Sequence, residues 1–158
     1  MVYNYYQNKG DLLVAIVSME VNEVLRAGTA IVSDPPPDVT SAVETLISIY
    51  LDHSLVYLNK EMWRHAMAIS IRQPETPFGQ RYAELDERLT RQVCNLITAL
   101  QGRGRVRPEI DARAVGETVF NNTNMMFTLF VKTEGMPLDV LKATISRQLS
   151  PLLSAICS

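Results

Sequence analysis

Val2-Tyr3-Asn4-Tyr5-Tyr6-Gln7-Asn8-Lys9-Gly10-Asp11-Leu12 runs from an aromatic cluster through a polar step into a long apolar stretch. This order predicts the end of one helix, a tight corner, and a new helix with Asn8 as N-cap and Asp11 at its third position. A plain tyrosine-rich lead-in to a helix is the competing reading. Beyond it Leu12, Leu13, Ile16, Val17, Val24, Leu25 and Ile31 recur at helical intervals. Pro35-Pro36-Pro37 ends that run, because consecutive prolines lack the N–H a helix needs and hold their neighbours extended.

The same periodicity continues to the C-terminus. Asp38 or Thr40 caps a second helix reaching about residue 57, and a third covers residues 60–71, closed by Pro74. Thr76-Pro77 is a restart signal, an N-cap followed by proline at the first helical position. The fourth helix carries Phe78, Tyr82, Leu85, Leu89, Leu96 and Leu100 on one face, with Glu84–Arg88 and Glu87–Arg91 spaced as ion pairs on its wet face. Gly102 to Pro108 forms an arginine-rich loop, whose charge suits a helix C-terminus better than a phosphate site. Asp111 caps a fifth helix to about residue 134. A sixth covers residues 138–156, with Pro151 expected to kink or loosen its last turn. The fold predicted is all-α, a bundle of about six helices.

Composition narrows the function. The 158 residues are 47% hydrophobic and 20% charged, with a formal net charge of −2, ordinary values for a folded domain. That charge gives no electrostatic reason for strong nucleic-acid binding by the chain itself. Residues 115–131 are the least charged stretch, but Asn121, Asn122 and Asn124 interrupt it, so no membrane span is expected. Cys94 and Cys157 lie far apart and read as reduced thiols. A cytoplasmic protein is the expectation.

The opening residues resemble the end of the DNA-reading helix-turn-helix of the tetracycline-repressor (TetR) family, whose motif is close to Leu-Tyr-x-His-Phe-x-x-Lys-x-x-Leu. Tyr5 stands here where histidine is common. The resemblance implies that residues 1–11 are a remnant of the DNA-binding domain and residues 12–158 an effector-binding and dimerisation domain. It implies further that Tyr3 and Lys9 occupy phosphate-contacting positions. With the preceding helices absent, DNA binding is expected of a longer parent and impaired in this chain. The layout that follows, a long connecting helix, a Trp-Arg-x-x-Met stretch and a final amphipathic helix, is also similar to the family.

Two surfaces follow. TetR-like proteins pair through their last two helices, and the nearly uncharged fifth helix independently asks for cover on more than one side. Val119, Met126 and Phe130, facing Leu141, Ile145 and Leu152, are the expected homodimer interface. For a ligand, the second helix aligns Tyr50, His53 and Tyr57, the third adds Trp63 and Met67, and the fifth adds Asn121, Asn124, Met125 and Thr128. Apolar and aromatic walls with a few orienting polar groups suit a small, moderately apolar effector.

Catalysis is not expected. Cys94 has no evident base and no nucleophile elbow occurs. Glu61 and His65, four apart, lack the repeated partners of a helical metal site, and no cofactor motif is present. The sequence therefore points to effector sensing and dimerisation in a TetR-like transcriptional regulator. The rival is a stand-alone helical small-molecule-binding or interaction module.

Overall fold

The structure, a computed structural model, describes the backbone of residues 2–158 and the side chains of residues 9–158. Six helices account for the architecture: α1 (Val2–Ser33), α2 (Val39–His53), α3 (Lys60–Arg72), α4 (Pro77–Gly102), α5 (Ala112–Lys132) and α6 (Leu138–Ile156). Among the described residues the one extended pairing is an isolated antiparallel bridge between Val106 and Cys157.

Local chemistry sets the boundaries. Asp38, Asn59, Thr76 and Asp111 each hold extended backbone, and each side chain accepts a hydrogen bond from the amide three residues on. Such caps satisfy amides that a helix start leaves unpaired. Helix α4 ends in a Schellman turn. Gly104 takes φ +75°, its amide donates to the Gln101 carbonyl at 3.0 Å, and the Arg105 amide donates to Leu100 at 2.9 Å.

Three expectations are corrected. The corner at Asn8 does not form, and α1 is one helix from Val2 to Ser33. Proline is absent from that stretch and Gly10 adopts helical backbone, so nothing interrupts the hydrogen-bond ladder. Helix α2 stops at His53, short of residue 57. There the Ser54 hydroxyl donates to the Leu51 carbonyl at 2.6 Å and the Trp63 indole N–H donates to the Ser54 carbonyl at 2.7 Å. Glu84 pairs with Arg81 at 2.9 Å, one turn behind it, whereas Glu87 and Arg91 meet at 2.9 Å as expected.

Helix α6 continues past Pro151 to Ile156. Its final carbonyls are taken from outside the helix: the Arg107 amide donates to Ile156 at 3.0 Å and its guanidinium to Ala155 at 2.7 Å. Arg103 does the same for α1, donating to the Ser33 carbonyl at 3.0 Å and pairing with Asp34 at 2.7 Å. The arginine-rich loop thus serves the C-termini of α1 and α6, where cations are favoured.

Helix α4 lies at the centre, with Leu85, Val93, Leu96, Ile97 and Leu100 essentially solvent-free. It packs against α1 on one side and α5 on the other. The α4–α5 approach is close enough that a Cβ built on Gly116 would lie 2.5 Å from the Cys94 Cα. Lys60 secures α3 to the far end of α5, donating to the carbonyls of Thr133, Glu134 and Met136 while its ammonium sits 4.1 Å from the centre of the Phe130 ring. These pairings leave a cavity where α1 to α5 converge.

Candidate functional site, a cavity beside α1

The cavity measures about 70 Å³. Val17, Val21 and Val24 form its α1 wall, with Glu20 among them; Tyr50, Leu51 and Ser54 come from α2 and its end, and Trp63 from α3. Helix α4 contributes Tyr82, Leu85, Asp86 and Leu89, and α5 contributes Phe120, Thr123, Asn124 and Phe127. Each set follows helical spacing, so one stripe per helix faces the same space. Trp63 and Phe127 meet edge to face at 5.2 Å between ring centres, a geometry favoured by ring quadrupoles.

Its polar groups differ in how they are satisfied. The Tyr50 hydroxyl donates to Gln92 Oε1 at 2.5 Å, and Gln92 Nε2 donates to the Leu25 carbonyl at 2.8 Å, linking α2, α4 and α1. Burial raises the Tyr50 phenol above its ordinary range. The Thr123 hydroxyl donates back to the Val119 carbonyl. Glu20, 3% exposed, accepts from His53 Nδ1 at 2.6 Å, while His53 Nε2 lies 3.0 Å from Glu23. Carboxylates on both ring nitrogens suit the doubly protonated imidazolium. Burial draws the His53 pKa down, yet the hydrogen bond and charge of Glu20, helped by Glu23, raise it overall. Burial raises Glu20 despite the opposing pull of His53.

Asp86 stands apart. No hydrogen bond or ion pair within the described chain compensates its carboxylate, and burial alone pushes its pKa up to about 6. Tyr82, one turn earlier, is raised by its own burial and then by the Asp86 charge. Desolvating a carboxylate without a partner is costly.

Of the nine residues expected around a ligand, Tyr50, Trp63 and Asn124 line the cavity. His53 stands one layer out, behind Glu20. Tyr57 lies at the surface, donating to Glu23 at 2.7 Å, and Met67 packs against the core away from the cavity. Thr128 is half-buried and donates to the Asn124 carbonyl. Asn121 and Met125 are exposed on the outer face of α5, because the stripe of Phe120, Thr123, Asn124 and Phe127 takes the inner one.

Of the residues expected at a homodimer interface, Val119, Phe130, Leu141 and Ile145 are at most 2% exposed and pack in the core of the single chain. Met126 and Leu152 are half-buried on the outer side. Exposed apolar side chains on that side are Met125, Leu129 and Val140. Lys9 lies beside a groove between α1 and α3 that also contains Met62 and His65. The side chain of Tyr3 falls outside the described residues.

Glu20, Asp86 and Phe127, and the place of Tyr82 at the cavity, are not among the residues expected from the sequence, although it holds one signal. Both acids interrupt apolar stripes, Glu20 between Val17 and Val24 and Asp86 between Tyr82 and Leu89. Among the described residues no three His, Cys, Asp or Glu side chains are placed to hold a metal ion, and no helix is long and apolar enough to cross a membrane. Comparison with family models, curated proteins and solved structures finds no match.

Proposed function

We propose that this chain senses a small apolar effector and dimerises as part of a TetR-like transcriptional regulator. The cavity beside α1 carries the reading. It lies where five helices converge, is walled by aromatic and aliphatic groups, and touches the helix that leads to the N-terminal motif. Ligand pockets commonly occupy about 300–1,000 Å³, well above the vacant volume here. A guest of that size must displace α1 or its neighbours, and that displacement is how occupancy becomes a signal. Coupling requires that the guest bind the expanded arrangement more tightly than the compact one. In such a regulator DNA contact belongs to a helix-turn-helix reading domain, and the protein works in the cytoplasm.

N-phenyl-1-naphthylamine, a neutral apolar dye, tests the cavity. Its fluorescence should rise saturably at one site per chain and fail to do so with Val24→Phe, which fills the α1 wall. An absent signal in the parent chain, or unchanged binding in a folded Val24→Phe variant, defeats the reading.

Dimerisation is assigned to the outer face of α5 and α6, where Asn121, Met125, Leu129 and Val140 lie with little charge between them. Asn122 and Gln148 tie the two helices together there at 2.9 Å. Sedimentation velocity should show a dimer. Met125→Arg, placing like charges against each other across a two-fold axis, should weaken it at least about tenfold. A parent chain that stays monomeric at high micromolar concentration contradicts this part of the proposal.

A further inference from the structure

We infer that the cavity selects a small lipophilic cation, an organic ammonium whose positive end meets the Asp86 carboxylate while its apolar body lies against Tyr50, Trp63, Tyr82 and Phe127. This rests on the ligand-sensing reading above and adds the chemistry of the ligand. Two carboxylates line the cavity, Glu20 and Asp86, and no lysine, arginine or histidine does. Their situations differ. Glu20 is neutralised from behind by His53 at 2.6 Å, whereas Asp86 has no such counterpart.

The neighbouring cations on α4 are committed elsewhere. Arg81 reaches Ser18 at 3.2 Å and Glu84 at 2.9 Å, and Arg88 borders a separate groove with Asn22 and Arg26. Within the described chain no fully buried side-chain oxygen lacks a partner, so the Asp86 carboxylate is not sealed in protein. It opens on accessible space. An anion entering there would meet uncompensated negative charge, and a neutral guest would leave the carboxylate unpaired. An organic cation gains the charge interaction and the ring faces, which attract cations through their quadrupoles. A bare metal ion would want several oxygen ligands at once, and Glu20 is already held by His53.

Three guests of one shape separate the terms: benzylamine, benzyl alcohol and benzoate, titrated calorimetrically into the full chain at neutral pH. Benzylamine should bind at least about tenfold more tightly than benzyl alcohol, and benzoate should not bind. Asp86→Asn should weaken benzylamine about tenfold or more and leave benzyl alcohol within about twofold. Glu87→Gln, altering an exposed neighbour on α4, should change neither. Circular dichroism confirms that each variant is folded. Equal affinity for benzylamine and the alcohol, or a benzylamine affinity indifferent to Asp86→Asn, overturns the cation assignment while leaving a ligand cavity. Failure of all three guests, together with failure of the neutral dye, removes the cavity reading itself.

Discussion

Asp86→Asn should stabilise the folded chain by about 1–3 kcal/mol at pH 8 and by much less at pH 3. Burial holds this carboxyl near pKa 6, against an ordinary value of 3.8, and each pH unit of such a difference is worth about 1.4 kcal/mol. The sign follows from proton binding. Between about pH 4 and 6 the unfolded chain releases this proton while the folded chain keeps it, so stability falls as pH rises through that window. Above it the folded state carries the cost of an ionised, half-buried carboxylate that no protein group pairs. Asparagine keeps the shape without the charge. Guanidinium denaturation of both chains from pH 3 to 8, at one protein concentration, measures the gap. Glu20 and His53 also titrate differently from their free values, but both chains share them and their contribution cancels. Parallel stability curves across the whole range would mean that Asp86 is solvated in the folded state.

Gly116→Ala should cost about 3 kcal/mol, although alanine is the better helix former. The added Cβ would sit 2.5 Å from the Cys94 Cα, 2.7 Å from its Sγ and 2.8 Å from its amide nitrogen. Two of those three atoms are backbone, so no rotamer change relieves the contact and α4 must move away from α5. Cys94→Ala in the same chain removes only the sulfur and should not restore stability. Gly10 gives the opposite sign. It is helical, a Cβ there meets nothing within 4 Å among the described residues, and Gly10→Ala should gain about 0.5–1 kcal/mol. Urea denaturation of the variants distinguishes the two cases, and a neutral Gly116→Ala would refute the close approach of α4 and α5.

Where the chain starts and stops its helices is largely written in short polar words. Pro35-Pro36-Pro37, Thr76-Pro77 and Asp111 act within a few residues, through a missing N–H or a side-chain cap, so they can be read without knowing the neighbours. Asn8 shows the limit of that method. An N-cap residue and a glycine two positions later permit a corner but do not enforce one, and α1 runs straight through them.

Which face of a helix meets which partner is a tertiary matter. Val119 and Phe130 have the apolarity expected of an interface, yet α5 spends that face on its own core. Asn121 and Asn124 lie three residues apart, and that small rotation separates the outer surface from the cavity edge. Tyr50 and Trp63 were identifiable because large aromatic groups on apolar stripes are buried almost wherever the helices dock. Asp86 sits between Glu84 and Glu87, whose exposed ion pairs mark a wet face, so its charge alone does not set it apart. Its phase with Tyr82 and Leu89, rather than its charge, marks it as different.

The unbroken α1 gives a small internal change a long reach. Val17 touches the cavity, and the same helix extends from there back to Val2, a span of about 22 Å at the ordinary rise per residue. A stiff rod pivoting by about 10° at Val17 would carry its far tip about 4 Å. Under the proposed sensing role, a slight swelling at the pivot would become a stroke as wide as an atomic contact, geared by rod length.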